Sequence, residues 1–234
     1  MDPLLPQRLL FRFAAPCHFR ETLWDEPGAG LEERFRLIGL AELEGKPVWA
    51  DVRAAWNESG LMFTVSAPCK QRKNPPSIER LEENEGLHIW LDTRSVHNVH
   101  RATRFCHRFF FLAPLIGEDT PALKEGKLTT VGPMADRSSG GACGWLPINR
   151  ARENPRPIPA GSLRRFWQAT PDGYLLATFI SAAALTGFDP AEYPRLGFNY
   201  AVFDREFGCQ TFSAGPPLPY QEDPSLWATL ELVR

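Results

Sequence analysis

Apolar and polar side chains alternate along several short stretches of this chain. In residues 60–67, Leu61, Phe63 and Val65 would share one face of an extended backbone, and the side chains between them would share the other. A period of two residues is the pattern of a β-strand. We therefore predict strands at residues 60–67, 87–92, 105–112, 174–180, 196–203 and 226–233.

Helical patterns are short and scarce by comparison. Residues 78–83 and 182–185 could each form a short helix, and a further short strand is expected near residues 127–131. The 22 prolines and 18 glycines supply turns between many short elements. Because strands do not alternate with helices, the pattern favours an all-β fold. We predict one antiparallel β-sandwich of the jelly-roll or immunoglobulin-like kind over residues 1–234.

The middle of the chain, residues 113–162, is a long crossover loop rich in proline and glycine. Connections of this length are uncommon inside a compact domain and are often functional. We interpret the segment either as a solvated crossover between two halves of the sandwich or as a loop that walls a binding site. It contains Trp145 and leads into a sparse basic set: Arg150, Arg152, Arg156, Arg164 and Arg165.

Composition limits the classes of partner. Hydrophobic residues make up 43% of the chain, enough for an ordinary core, and the net charge of −2 gives no broad basic field for nucleic acid. No stretch is apolar enough to cross a membrane, and the N-terminus carries no recognisable secretory signal. We therefore expect a cytoplasmic protein without nucleic-acid or membrane partners, unless a leader has been removed. The oligomeric state is open.

Three segments in a fixed order resemble a known family. They are ADVRAAWNESGL at 50–61, GLHIWLDTR at 86–94, and LGFNY at 196–200 with DPSLWATL at 223–230. Together they resemble the family 9 carbohydrate-binding modules and the related sandwich domains that include the N-terminal domain of dopamine β-monooxygenase. The resemblance covers roughly residues 37–234. It implies a jelly-roll-like sandwich and sugar binding through tryptophan stacking and neighbouring polar groups.

The region with most candidate binding chemistry lies between residues 88 and 108. If strands 87–92 and 105–112 pair, His88, Trp90 and Asp92 share a face. Their cross-strand neighbours are then His107 or Arg108, depending on the register. A ring beside imidazole and guanidinium groups suits a polyhydroxylated ligand, whose apolar face stacks and whose hydroxyls form directed hydrogen bonds.

We therefore predict a ligand site whose members share aromatic or polar character: Trp90, His88, His107 and Arg108, with Asn199 and Trp145 as second choices. The alternative is that Trp90 belongs to the core and that His88 is a polar residue with its hydrogen bonds satisfied. Periodicity alone does not distinguish these interpretations, because both place the residues on one face of a strand.

Metal and enzyme chemistry have weaker support in the sequence. His97 and His100 could bind zinc with Asp92 or His107 as a further ligand, but this spacing is common by chance and no paired cysteines accompany it. We expect no cofactor and keep this metal site as an alternative. The sequence has no GxSxG, Walker or GxGxxG motif. A pair of carboxylates for glycoside hydrolysis would have to come from Asp92, Asp204 and Glu206.

The leading functional hypothesis is a non-catalytic binding module for a carbohydrate or another polyhydroxylated ligand. Two alternatives stay open. One is a metal-dependent enzyme or metalloprotein that uses the region from His88 to His107. The other is a protein-interaction domain without a small ligand, in which residues 113–162 meet a partner.

Overall fold

The computed structural model describes residues 13–38, 41, 47–68, 85–113 and 143–234. Within these ranges the chain forms eleven strands: β1 (Ala14–Phe19), β2 (Asp51–Asn57), β3 (Gly60–Pro68), β4 (Gly86–Asp92), β5 (Cys106–Leu112), β6 (Cys143–Leu146), β7 (Leu163–Thr170), β8 (Gly173–Ser181), β9 (Arg195–Asp204), β10 (Gly208–Thr211) and β11 (Ala228–Val233). Short 3-10 helices lie at Pro27–Ala29, Glu33–Phe35, Ala182–Ala184 and Pro224–Leu226.

The strands form one nearly closed hydrogen-bonded array. Their order is β6-β5-β4-β9-β11-β1-β2-β3-β8-β7, and β10 pairs with β9. Strand β1 runs parallel to both of its neighbours, β11 and β2. The other strand pairs that the structure describes are antiparallel, as predicted. β1 therefore joins two antiparallel groups of strands into a single array.

The two groups of strands face each other across a hydrophobic core. Strands β3 and β9 are not hydrogen-bonded neighbours, yet the rings of Phe63 and Phe198 stack with centroids 5.7 Å apart. Both rings are fully buried, and burial of each contributes about 1.5–3 kcal/mol. Alternate residues of β4 also enter this core, namely Leu87, Ile89 and Leu91. The predicted all-β sandwich is confirmed.

A tight turn at residues 57–60 fixes the pairing of β2 with β3. The Asn57 side-chain oxygen accepts a hydrogen bond from the Ser59 backbone N–H at 2.8 Å. Gly60 has a φ of +143°, and a Cβ there would collide with the carbonyl oxygen of Ile180. Glycine is therefore required at the point where β3 approaches β8.

The six strands predicted from periodicity are all present. The last begins at Ala228 rather than at residue 226, because Pro224–Leu226 forms a 3-10 turn capped by the Asp223 side chain. The helical turn predicted at 182–185 corresponds to Ala182–Ala184. The predictions at 78–83 and 127–131 lie outside the described residues. In the described ranges, no helix has the length and apolar character needed to cross a membrane.

One end of the sandwich brings together several strand ends. Asp92, the last residue of β4, lies opposite Cys106 at the start of β5 and Gly197 near the start of β9. The connections that leave or enter these strands, together with the turn after β8, are therefore neighbours in space. They build the candidate functional site.

Candidate functional site

The register of β4 decides which predicted ligand residues share a face. Trp90 lies opposite Arg108 of β5 and opposite Asn199 of β9. His88 is on the same face, two residues away along β4. His107 lies opposite Leu91 and so belongs to the face that packs into the core. The structure thus brings four of the six predicted residues together.

The two other predicted residues, His107 on β5 and Trp145 on β6, are on the core side of their strands. Trp145 lies opposite Phe109 in the β5–β6 pair, and both are members of the main hydrophobic core. The Trp145 side chain is buried. Its position is that of a core residue at the edge of the strand array.

The shared face is covered rather than open. Trp90 is 1% exposed, and its ring meets the ring of Tyr220 edge-on with centroids 5.3 Å apart. The Arg108 guanidinium carbon lies 5.3 Å from the Trp90 ring centre. The indole N–H of Trp90 is buried without a hydrogen-bond partner among the described residues. In this structure the Trp90 ring is packed and offers no surface for a sugar to stack on.

Asn199 explains how the covering segment is held in place. Its side-chain amide donates to the carbonyl oxygen of Ala214 at 3.0 Å and accepts from the backbone N–H of Ser213 at 3.0 Å. These bonds fasten the chain after β10 onto the outer face of β9. The amide of Asn199 therefore stabilises the fold, because both of its polar atoms are hydrogen-bonded to the backbone of the covering segment.

His107 performs a structural task on the opposite face. Its Nε2 atom accepts a hydrogen bond from the backbone N–H of Thr186 at 3.1 Å, and its ring stacks on Phe109 with centroids 5.9 Å apart. Burial lowers the pKa of His107 to about 4, so the ring is neutral at physiological pH. A neutral imidazole can accept this bond, whereas a protonated one cannot.

Asp92 caps the turn that follows β4. Its two carboxylate oxygens accept hydrogen bonds from the backbone N–H groups of Arg94 at 2.9 Å and Val96 at 2.8 Å. Burial is the largest influence on this carboxyl and raises its pKa, while the two hydrogen bonds act in the opposite direction. The side chain stabilises the local turn that presents Arg94.

The spacing of the candidate carboxylates excludes one catalytic pair. Asp92 lies opposite Gly197, whereas Asp204 lies seven residues further along β9. At about 3.3 Å per residue the separation is roughly 23 Å, well beyond the 9.5 Å or so that glycoside hydrolysis tolerates. Asp204 also accepts hydrogen bonds from the backbone N–H groups of Glu206 and Phe207. It therefore caps a turn, in the manner of Asp92.

The three residues of the alternative metal site, His97, His100 and Asp92, each have another hydrogen-bond partner. The Nε2 atom of His97 lies 3.3 Å from the Thr229 hydroxyl, whereas Nδ1 of His100 lies 3.1 Å from a carboxylate oxygen of Asp223. Both carboxylate oxygens of Asp92 accept hydrogen bonds from backbone N–H groups. The part of the chain that the structure describes contains no group of three or more histidine, cysteine or acidic side chains placed to hold a metal ion.

Ser225, His100 and Asp223 lie close together but do not form a catalytic triad. The Ser225 hydroxyl and the Asp223 carboxylate both approach the same nitrogen of His100, Nδ1, at 3.0 and 3.1 Å. The Ser225 hydroxyl also bonds to Asp223 at 2.6 Å. In a triad the serine and the acid engage opposite ring nitrogens. This cluster caps the 3-10 turn before β11.

An open groove lies at the end of the sandwich where β4 stops. Two adjoining cavities of about 610 and 730 Å³ share four lining residues, Arg94, Arg104, Phe105 and Glu153. Tyr193 lines the first cavity, and the second extends along Arg156 and the Thr186–Gly187 turn. We call this pair of cavities the Arg94 groove. Its volume is within the range of small-molecule sites in proteins.

Arg94 is held at the centre of the groove by its neighbours. Its guanidinium carbon lies 3.9 Å from the ring centre of Tyr193 and 4.5 Å from that of Phe105. Its Nη1 atom donates to the carbonyl oxygens of Gly187 at 2.6 Å and Thr93 at 3.2 Å. Cation–π contact and two hydrogen bonds therefore fix the side chain before any ligand arrives.

The backbone conformation at position 187, beside Arg94, favours glycine. Its φ of +77° is in the left-handed region, and a Cβ there would lie 2.8 Å from Nη2 of Arg94. The same turn is fastened by His107, which accepts from the Thr186 N–H, and by the Thr93 hydroxyl, which donates to the Thr186 carbonyl at 2.7 Å. The predicted residue His107 thus stabilises the Thr186–Gly187 turn, which lines the groove.

This chain is similar to known proteins in its fold and not in its sequence. No protein-family model and no curated protein sequence matches the chain. Two solved structures of a family 9 carbohydrate-binding module from Caldicellulosiruptor kristjanssonii do match it. The chain resembles this family in fold. One structure is a complex with cellotriose and the other a complex with glucose.

The similarity extends over nearly the whole length of both proteins. Each match covers 94% of this chain, with 93% of the cellotriose complex and 96% of the glucose complex. The TM-score is 0.55 and the sequence identity 10% in both cases. The fold resemblance inferred from the three sequence segments is confirmed. At 10% sequence identity the comparison supports the fold alone.

Proposed function

We propose that this protein is a non-catalytic carbohydrate-binding module whose ligand occupies the Arg94 groove. The observation that carries the proposal is the groove itself, an open cavity at one end of the sandwich in which aromatic rings hold a guanidinium group in place. The likeness in fold to modules solved with glucose and cellotriose adds support. The proposal moves the ligand from the predicted Trp90 face to a neighbouring surface.

The lining of the groove suits a polyhydroxylated molecule. Apolar walls come from Val99, Pro157 and Pro159, which can contact the C–H faces of sugar rings. Hydrogen-bonding groups come from the Arg94 guanidinium and from Asn154, an exposed amide. Sugar sites combine such surfaces, because a pyranose ring presents both C–H patches and directed hydroxyls.

A steric block tests the location. Ala183 is exposed and lines the groove, so Ala183→Trp would fill part of it. Ala169→Trp is a matched control, since Ala169 is exposed at the far end of the β7–β8 hairpin and does not line the groove. Binding to an immobilised glycan panel that includes cellotriose is expected for the natural protein and for the control, and not for Ala183→Trp.

The outcomes separate function from location. If the natural protein bound no glycan of the panel, carbohydrate binding would be wrong. If Ala183→Trp bound as well as the control, the ligand would lie elsewhere. Circular dichroism of all three proteins shows whether each variant is folded, so that loss of binding is not confused with loss of structure.

A further inference from the structure

We propose that the Arg94 groove selects acidic carbohydrates, namely sugars with a carboxylate such as uronic acid residues. This inference rests on the proposed function and goes further by naming the ligand class. It starts from the balance of charged groups in the groove and from the geometry of one guanidinium.

The groove carries an excess of positive charge within a protein whose net charge is −2. Arg94, Arg104 and Arg156 line it. In the described ranges no carboxylate oxygen lies within 4.0 Å of any of these three guanidinium groups. Among the described residues, the acidic groups that line it are Glu153 and Asp92, and both oxygens of Asp92 accept backbone hydrogen bonds. An anion would therefore meet three cations that have no carboxylate partner among the described residues.

Some arginines outside the groove are paired with carboxylates. Arg53 contacts Asp51 and Glu33, each at 2.7 Å, and Arg195 contacts Glu231 at 3.0 Å. In the groove, three arginines line one cavity, and among the described residues none of them has a carboxylate oxygen within 4.0 Å. Burying or crowding like charges is unfavourable without a counter-charge, so a bound carboxylate would relieve repulsion in the groove.

Arg94 presents the edge of its guanidinium that a carboxylate fits. A guanidinium has five N–H donors, and Nη1 of Arg94 supplies the bonds to Gly187 and Thr93. The Nε–H and Nη2–H groups have no acceptor within the described part of the chain. These two donors lie parallel on one edge and match the two oxygens of a carboxylate in a bidentate pair. A hydroxyl of a neutral sugar can use only one of them at a time.

The test compares two sugars that differ in one group. Cellotriose and the β-1,4-linked trimer of glucuronic acid have the same backbone, with CH₂OH or carboxylate at C6. Isothermal titration calorimetry at low salt should give an affinity for the acidic trimer at least about tenfold higher. The difference should shrink in about 0.5 M NaCl, because exposed charges are screened there.

Variants tie the preference to the arginines. Arg94→Gln and Arg104→Gln should each weaken binding of the acidic trimer by about tenfold and change cellotriose binding much less. Arg34→Gln removes the same charge at an exposed residue that does not line the groove, and it should behave as the natural protein. Equal loss in Arg34→Gln would reduce the effect to net charge and overturn the proposal.

The remaining outcomes distinguish this inference from the proposed function. If cellotriose and the acidic trimer bound equally, selection for acid would be wrong while carbohydrate binding stood. If neither trimer bound, and no other glycan of the panel bound, both the inference and the proposed function would be wrong. If free acetate competed as well as the trimer at equal carboxylate concentration, the groove would be an anion site that does not recognise the sugar, which also contradicts the inference.

Discussion

The guanidinium carbon of Arg94 lies 3.9 Å from the centre of the Tyr193 ring, closer than the 4.5 Å that separates it from the centre of the Phe105 ring. The two rings come from different parts of the chain, Phe105 from the β4–β5 connection and Tyr193 from the residues before β9. Tyr193 thus links the loop that carries Arg94 to the entry of a second strand. A side chain fixed in this way loses little conformational entropy when it binds a ligand.

Tyr193→Ala should weaken ligand binding more than it weakens the fold. Tyr193 is only partly buried, and a cation–π contact at such a site is worth about 0.5–1 kcal/mol. Without the ring, Arg94 would lose its closest support and would have to be ordered by the ligand. Calorimetric titration with the glucuronic acid trimer and urea unfolding measure the two effects separately. Tyr193→Phe keeps the ring and should bind normally; equal loss in both variants would assign the effect to the hydroxyl.

Gly187→Ala should destabilise the protein and displace Arg94. An alanine in the left-handed region costs about 1–2 kcal/mol, and its Cβ would also press on Nη2 of Arg94. A double-mutant cycle with Arg94→Ala separates the two terms, because removing the guanidinium relieves only the steric part. Urea unfolding of the four proteins should give a non-additive sum. Strict additivity would show that Arg94 moves aside without cost.

Trp90→Ala should reduce stability by about 3–5 kcal/mol, as expected for a large buried ring replaced by a methyl group. Trp90 is 1% exposed and contacts Tyr220, so the substitution leaves a cavity under the segment that covers β4. Trp90→Phe keeps most of the volume and should cost distinctly less. A Trp90→Ala variant that unfolded at the same urea concentration as the natural protein would show that the covering segment is readily displaced.

The sequence could predict the strands and much of the composition of one face, because the periodicity of a strand and the pairing of two consecutive strands are local properties. His88, Trp90, Arg108 and Asn199 do share a face, and Arg108 rather than His107 is the cross-strand neighbour of Trp90. The burial of that face could not be predicted. It depends on Tyr220, which follows β10 in an irregular segment without a periodic signal.

The Arg94 groove was missed for a related physical reason. Its members come from three separate connections, β4–β5, β6–β7 and β8–β9, and none of them forms a motif with its sequence neighbours. Arg94 and Phe105 are eleven residues apart, and Tyr193 and Arg156 join them only through the strand order. A concave site built from loop ends depends on tertiary packing, whereas the pattern of a strand reports its own two faces. The available signal was limited to the arginines of residues 94–104.

The stability of the protein should fall between pH 6.5 and pH 4 because of His107. Its pKa is about 4 in the folded protein and about 6.5 in the unfolded chain. Above pH 6.5 both states are neutral at this residue and nothing changes. As the pH falls below 6.5, the unfolded chain binds a proton that the buried ring does not, so the free energy of unfolding decreases, by at most about 3 kcal/mol once the pH is below 4.

His107→Gln isolates this contribution, because a glutamine side chain does not titrate and its oxygen can still accept from the Thr186 N–H. Urea unfolding of both proteins at pH 7, 6, 5 and 4 should give curves of stability against pH that diverge on acidification, with the natural protein falling more steeply. The raised pKa of Asp92 acts in the opposite direction, favouring the folded state as the pH falls, but it is common to both proteins and cancels in the difference. Parallel curves would mean that His107 accepts a proton without losing its bond to Thr186, and the turn behind the groove would then not depend on a neutral imidazole.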